Sequence, residues 1–128
     1  MAKKILIVED DSFLQGLAAN KLSKADFDVS TSSKGEDAMT ELEKNKFDCV
    51  LLDLMLPDIS GFDILKGFKE AHKDVPVIVF SNLSDDKDIK KAMDMGADEY
   101  LVKANFTLEE LVAKVKKNKL ARKRLENC

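Results

Sequence analysis

The sequence predicts an α/β domain built on a five-stranded parallel sheet with helices on both faces. Short apolar runs alternate along the chain with segments in which apolar residues recur at helical spacing. This alternation is typical of strand–helix–strand units. Three of the runs are apolar almost throughout, as expected for strands that are buried on both faces of a parallel sheet.

The five predicted strands differ in character. The continuous apolar runs are Ile5 to Val8, Cys49 to Leu52 and Val75 to Phe80. Two weaker segments, Phe27 to Thr31 and Tyr100 to Val102, are shorter or more polar. We therefore expect these two at the edges of the sheet.

Helical periodicity fills the gaps between the strands. The apolar positions that carry it are Leu14, Leu17, Ala18, Leu22, then Ala38, Met39, Leu42, then Phe62, Leu65, Phe68, then Ile89, Ala92, Met93, and finally Leu111, Val112, Val115. Ser12 is the expected cap of the first helix, and Thr107 opens a capping box for the fifth. Right-handed crossovers would bring the carboxyl ends of all five strands to one edge of the sheet.

Composition bounds the class of protein. The chain has 128 residues, the length of one domain, which we take as residues 1–128; it is 45% hydrophobic and 35% charged. A net charge of −3 argues against direct binding to nucleic acid. No apolar run approaches the roughly 18 residues that cross a bilayer, and none suits a signal peptide. Two cysteines, Cys49 and Cys128, are too few for a disulfide framework, so we expect a reduced, cytoplasmic protein with no membrane partner.

Polar side chains follow four of the five predicted strands. They are Glu9, Asp10 and Asp11 after the first, Asp53 after the third, Ser81 and Asn82 after the fourth, and Lys103 after the fifth. Each residue alone is weak support for a site, because loops are polar in general. Ligands of open α/β sheets bind at this edge, and the four strand ends together predict a functional site there.

The charges of these residues indicate a metal. Carboxylates of Glu9, Asp10 and Asp53 at neighbouring strand ends would repel one another, by up to ~4 kcal/mol for a pair about 4 Å apart. Mg²⁺, with Mn²⁺ as its substitute, is a hard cation that takes such oxygen ligands and keeps several waters. A lysine and a hydroxyl beside one carboxylate then describe an aspartate nucleophile that accepts a phosphoryl group.

These residues resemble the receiver domain of bacterial two-component response regulators, in the single-domain form typified by chemotaxis regulators. The matching stretches are Ile5 to Asp11, Leu52 to Gly61, Pro76 to Ser81 and Gly96 to Lys103, so the resemblance covers nearly the whole chain. It implies a flavodoxin-like, doubly wound fold with strand order 2-1-3-4-5. It also implies phosphorelay signal transduction.

The resemblance implies a role for each acid of the site. Asp53 is similar to the phosphoacceptor of the family. Asp10 and Asp53 would bind Mg²⁺ directly, together with the backbone carbonyl of Met55, and Glu9 would act through a water. Such a protein is not an enzyme toward other molecules; it catalyses only its own Mg²⁺-dependent phosphoryl acceptance and autodephosphorylation.

The resemblance also implies partners and a switch. Ser81 would hydrogen-bond the phosphoryl group, and Lys103 would pair with the same group. Tyr100 would turn inward when Ser81 moves toward the phosphoryl group. The donor would be a sensor histidine kinase or a histidine phosphotransfer protein. The surface of the fourth helix, fifth strand and fifth helix would then bind a downstream protein that the sequence does not identify.

Two residues depart from the family pattern. Ala104 stands where the family has a proline with a cis bond, and a cis bond before alanine would cost roughly 2.5–4 kcal/mol, so the reach of Lys103 stays open. Asn82 is larger than the usual small residue after Ser81. Met55 and Leu83 flank the site and are apolar, from which we predict that they orient no attacking water and that phosphoryl loss is slow.

Other functions on this architecture fit less well. A haloacid-dehalogenase-type phosphatase needs a second Asp two positions after the nucleophile, where Met55 stands. A flavodoxin-type electron carrier needs a phosphate loop after the first strand, where Glu9 and its neighbours would repel phosphate. A pseudo-receiver, which binds partners without phosphorylation, is disfavoured by the intact set of acids, serine and lysine. We expect a single-domain regulator, with a fragment of a longer one as the alternative.

Overall fold

The computed structural model describes the backbone of residues 3–126 and the side chains of residues 3–117. A five-stranded parallel sheet runs through it in the order β2-β1-β3-β4-β5. The predicted fold and strand order are therefore confirmed, with both weaker strands at the edges. Cys128 lies outside the described residues.

The elements alternate without exception along the described chain. The strands are β1 (Lys4–Val8), β2 (Asp28–Ser32), β3 (Cys49–Leu52), β4 (Val77–Ser81) and β5 (Glu99–Val102); the helices are α1 (Ser12–Lys24), α2 (Gly35–Lys44), α3 (Gly61–Ala71), α4 (Asp86–Asp94) and α5 (Leu108–Glu126). A short 3₁₀ turn, Lys103–Asn105, separates β5 from α5.

The sheet divides the hydrophobic core into two layers. On one face, α2, α3 and α4 cover strand residues such as Val8, Leu52 and Val79. On the other face, α1 and α5 cover the alternate residues, such as Ile7 and Leu51. Because the central strands are buried on both faces, their sequences are apolar except for Lys4 at the start of β1 and Ser81 at the end of β4.

Helix and strand ends differ from the sequence predictions in a few places. Asp11, and not Ser12, caps α1, because its carboxylate accepts the N–H groups of Phe13 (3.0 Å) and Leu14 (3.2 Å). Strand β4 begins two residues later than predicted, since Pro76 has no N–H for the ladder. Thr107 caps α5 as predicted and accepts the Glu110 N–H at 3.2 Å.

An ion pair fastens the sheet edge that lies opposite the strands' carboxyl ends. Lys69 of α3 pairs with Asp98 at 3.0 Å and also donates to the Val75 carbonyl at 2.8 Å. The same Asp98 carboxylate accepts the Val77 N–H at 2.9 Å. Helix α3 and the beginnings of β4 and β5 are thus tied together at this edge. Among the described residues, no helix is long and apolar enough to span a membrane.

Candidate functional site

Three acidic side chains meet at the carboxyl edge of the sheet, as the sequence predicts. Glu9 follows β1 and Asp53 follows β3, and their side chains are almost fully buried, at 2% and 3% exposed. Asp10 is exposed. Each of the three offers a carboxylate oxygen, and these oxygens lie within 4.8 Å of one another. Parallel strands β1 and β3 are neighbours in the sheet, and this pairing brings the acids together.

Lys103 reaches into this cluster from the end of β5. Its ammonium lies 2.9 Å from Asp53 Oδ2 and forms a second ion pair with Glu9 Oε1. Ala104 does not prevent this contact: the described peptide bonds are all trans, and the 3₁₀ turn that begins at Lys103 directs the side chain to the acids. One lysine thus serves two buried carboxylates, which leaves the cluster with an excess of negative charge.

The pKa values of the buried pair reflect this balance. Burial raises the pKa of Glu9 to about 7, and the Asp53 carboxylate adds to the rise, while Lys103 and the Asp11 N–H oppose it. Burial disfavours the charged form of Lys103, but its bonds to Glu9 and Asp53 more than compensate and raise its pKa. Lys103 is therefore a permanent cation at neutral pH.

The loop after β3 holds Asp53 in a defined orientation. The Met55 N–H donates to Asp53 Oδ1 at 3.0 Å, so that both oxygens of the carboxylate have a partner. The loop closes tightly at Gly61, whose N–H donates to the Leu54 carbonyl at 3.0 Å. A Cβ at this position would lie 2.3 Å from the Leu54 Cα, and therefore only glycine fits here.

Ser81 and Tyr100 are linked through the backbone of Leu83. The buried Ser81 hydroxyl accepts the Leu83 N–H at 3.3 Å, and the Tyr100 hydroxyl donates to the Leu83 carbonyl at 2.7 Å. Tyr100 is half-buried, and its hydroxyl meets the β4–α4 loop at Leu83. Asn82, the unusual residue beside Ser81, is exposed.

The donor set of the cluster fits a hard divalent cation. It consists of carboxylate oxygens alone, without the nitrogen or sulfur ligands that softer metals select. The exposure of Asp10 leaves room for the waters that Mg²⁺ retains. Excess negative charge beside a single lysine would be neutralised by such an ion.

Two residues near the site were not predicted from the sequence. Gln15 of α1 donates to the backbone carbonyl of Glu9 at 2.9 Å and fixes the start of the β1–α1 loop. Asp58 accepts two N–H groups at the start of α2. The sequence carries part of the signal for the second, because α2 begins at Gly35 after Lys34, and neither residue has a side chain that caps a helix.

Comparison with known proteins identifies the family. The model of the response regulator receiver domain matches residues 5–116, and the chain belongs to this family. It is thus a receiver domain of two-component response regulators. Receiver domains are generally not classical enzymes. Receiver domains bind Mg²⁺ through an acidic cluster, and Glu9, Asp10 and Asp53 form such a cluster here.

Curated relatives are longer than this chain. The response regulator ArlR of Staphylococcus saprophyticus is 36% identical over 113 residues, which cover 88% of this chain and 50% of that protein. The alkaline phosphatase synthesis transcriptional regulatory protein PhoP of Bacillus subtilis is 33% identical over 116 residues, covering 91% and 48%. The chain spans about half the length of the curated relatives that it matches.

Solved structures agree with the family. The BeF3-activated receiver domain of DrrB is 37% identical, with a TM-score of 0.85 over 92% of this chain and 97% of that one. A CheY-like receiver domain protein from Methanospirillum hungatei is 22% identical, with a TM-score of 0.93 over 97% of this chain and 98% of that one. The second likeness concerns the fold alone.

Proposed function

We propose that this receiver domain accepts a phosphoryl group on Asp53 from a phosphohistidine of a sensor kinase or phosphotransfer protein. The observation that carries the proposal is the environment of Asp53. Its carboxylate is buried, lies 2.9 Å from a permanent cation and shares a 4.8 Å cluster with two further acids. A structural aspartate has no need of additional buried negative charge beside it.

The chemistry of acceptance follows from the partners of Asp53. One carboxylate oxygen attacks phosphorus, the P–N bond of the phosphohistidine breaks, and the imidazole leaves with the bonding electron pair and takes up a proton. Asp10, Asp53 and the Met55 backbone carbonyl would hold Mg²⁺, with Glu9 acting through a water. When bound, this ion neutralises charge on the phosphoryl oxygens.

Lys103 and Ser81 complete the binding of the phosphoryl group in this proposal. The Lys103 ammonium would move from the Asp53 carboxylate to a phosphoryl oxygen, a short displacement for a long side chain. The Ser81 hydroxyl would donate to another phosphoryl oxygen. The same hydroxyl accepts the Leu83 N–H, so a movement of Ser81 toward the phosphoryl group would pull on the backbone of Leu83.

The linked hydrogen bonds of Ser81, Leu83 and Tyr100 supply the output. Leu83 is bonded to Ser81 through its N–H and to Tyr100 through its carbonyl, so a movement of Ser81 changes the position that holds Tyr100. Phosphorylation can shift the conformational equilibrium only by its differential affinity for the two states. The surface that changes is formed by α4, β5 and α5, and we assign binding of the downstream protein to it.

The experiment that tests the proposal uses acetyl phosphate, Mg²⁺ and intact-protein mass spectrometry. The unsubstituted chain should gain about 80 Da, once, and Asp53→Asn should gain nothing. Omission of Mg²⁺ should abolish the gain in the unsubstituted chain. An unmodified parent protein, or an equal gain in the Asp53→Asn variant, would contradict the proposal.

We also propose the reducing cytoplasm as the compartment of this domain. The buried free thiol of Cys49 is compatible with it.

A further inference from the structure

Helix α2 begins without a capping side chain of its own. Lys34 occupies the N-cap position with an extended backbone, and its side chain makes no capping bond. The missing acceptor is Asp58, which follows Gly35 by 23 residues. Its Oδ1 accepts the Gly35 N–H at 2.7 Å and its Oδ2 accepts the Glu36 N–H at 3.0 Å. These bonds satisfy two of the unpaired donors at the helix start and place negative charge at the positive end of the helix dipole.

Asp58 lies in the same loop as Asp53 and Met55. This loop, residues 53–60, is closed at its base by the contact of Gly61 with Leu54. Leu56 and Ile59 of this loop pack against the core, whereas the Met55 side chain is exposed and its N–H donates to Asp53. Asp58 adds to this packing a charged, directional attachment of the outer half of the loop to α2.

A close contact of α2 with the loop supports the same attachment. A Cβ at Gly35 would lie 2.9 Å from the Cβ of Ile59 and 3.3 Å from Asp58 Oδ1. Glycine at this position lets the loop approach the helix start closely enough for both hydrogen bonds. The bonds from Glu36 and Gly35 also hold the pKa of Asp58 below its usual range, so the carboxylate is ionised at neutral pH.

We propose that Asp58 is a positioning residue for the metal and phosphoryl chemistry, because it attaches the loop that carries Asp53 and Met55 to the start of α2. Asp58 does not contact the reacting groups. It limits the motion of the Met55 backbone, whose carbonyl must lie near the Asp53 carboxylate to share a cation with it. This inference rests on the proposed function, since it concerns the same cation and the same loop.

The test separates loop positioning from helix capping with three variants. Asp58→Ala removes the attachment and the cap together. Lys34→Ser/Asp58→Ala gives α2 a local cap, to which the extended backbone of residue 34 is suited, but leaves the loop unattached. Asp63→Ala removes an exposed acid from the first turn of α3 and is the matched control.

Three measurements are made on each variant. Mg²⁺ affinity is followed by titration of backbone amide resonances, phosphoryl uptake from acetyl phosphate by mass spectrometry, and amide hydrogen exchange of residues 54–59 in EDTA. In Asp58→Ala we expect Mg²⁺ affinity to fall about 3- to 10-fold, below the range usual for residues that touch a metal ligand directly. Exchange in the loop should become faster in the absence of any metal.

The double variant decides between the two roles. We expect it to recover thermal stability while Mg²⁺ affinity and loop exchange stay as in Asp58→Ala, and Asp63→Ala to match the parent protein. Recovery of Mg²⁺ affinity together with stability, or unchanged affinity in Asp58→Ala, would overturn the inference. A parent protein that binds no Mg²⁺ and takes up no phosphoryl group would instead overturn the proposed function.

Discussion

The ammonium of Lys103 lies 2.9 Å from the carboxylate of Asp53, although the alanine that follows the lysine replaces the proline usual in the family. The same ammonium also pairs with Glu9. Two buried carboxylates therefore depend on one cation for charge compensation, and the stability of the site depends on that cation in the absence of metal.

Replacing Lys103 with methionine should destabilise the metal-free protein by about 3 kcal/mol, because the buried Asp53 carboxylate would lose its cation and Glu9, whose pKa burial raises and Lys103 lowers, would have to bind a proton. Urea unfolding in EDTA measures the loss. Excess Mg²⁺ should restore part of it. Lys21→Met is the control: it removes an exposed ion pair to Glu109 (side chains 39% and 74% exposed) and should cost under about 1 kcal/mol. Equal losses in the two variants would argue against charge compensation at the site.

Asp10 and Asp11 are adjacent acids with different expected roles. Asp10→Asn should remove the stabilisation by Mg²⁺, which in the parent protein is roughly 1.4 kcal/mol at ten times the dissociation constant. Asp11→Ala should keep that increment but lower stability by about 1 kcal/mol, since it loses the cap of α1. Thermal unfolding with and without Mg²⁺ distinguishes the two. A variant of Asp10 that keeps the full Mg²⁺ shift would exclude it as a ligand.

Asp53→Asn should fold without metal at least as stably as the parent chain. Asparagine keeps an oxygen for the Met55 N–H, and one of the mutually repelling charges is lost. We expect the free energy of unfolding in EDTA to rise by up to ~1 kcal/mol, which urea titration can detect. A loss of several kcal/mol would show that the aspartate is a structural requirement of the fold.

Tyr100 is the only tyrosine of the chain, so its ionisation can be followed directly by ultraviolet absorbance. Burial raises its pKa, the Ser81 hydroxyl opposes the rise, and Asp88 and Asp53 add to it. Because the folded state has the higher pKa, the contribution to stability is complete below pH ~10 and is lost as the pH rises through the folded value. Titration of the native protein should give a midpoint above that of the urea-unfolded chain; coincident midpoints would contradict the burial of the phenol.

Met55 and Leu83 border the site with apolar side chains, the first 54% exposed. Met55→Asn/Leu83→Gln should hasten loss of the phosphoryl group from Asp53, by roughly tenfold or less, because polar groups can orient the attacking water. The decay of the phosphorylated protein after removal of the donor gives the rate. Met55→Leu/Leu83→Met keeps both positions apolar and should decay like the parent. An unchanged rate in the polar variant would remove these residues from the control of hydrolysis.

The alternation of strands and helices could be predicted from the sequence, because the face that each element buries determines the spacing of its apolar residues. The clustering of Glu9, Asp10 and Asp53 was likewise predictable, since parallel topology alone brings the strand ends together. The reach of Lys103 was not, because it depends on the path of a loop that the family proline normally shapes. The lack of a capping side chain at the start of α2 indicates that the cap comes from elsewhere, but no local pattern shows that Asp58, 23 positions after Gly35, supplies it.

The ion pair of Lys69 with Asp98 has a consequence for signalling. It ties α3 to the beginnings of β4 and β5, at the end of the sheet remote from the acids. In the proposed mechanism, a rearrangement that starts at Ser81 would be confined to the far ends of these strands, while their beginnings stay in place. Such an arrangement would let the domain pass through many cycles of phosphorylation and dephosphorylation without unfolding.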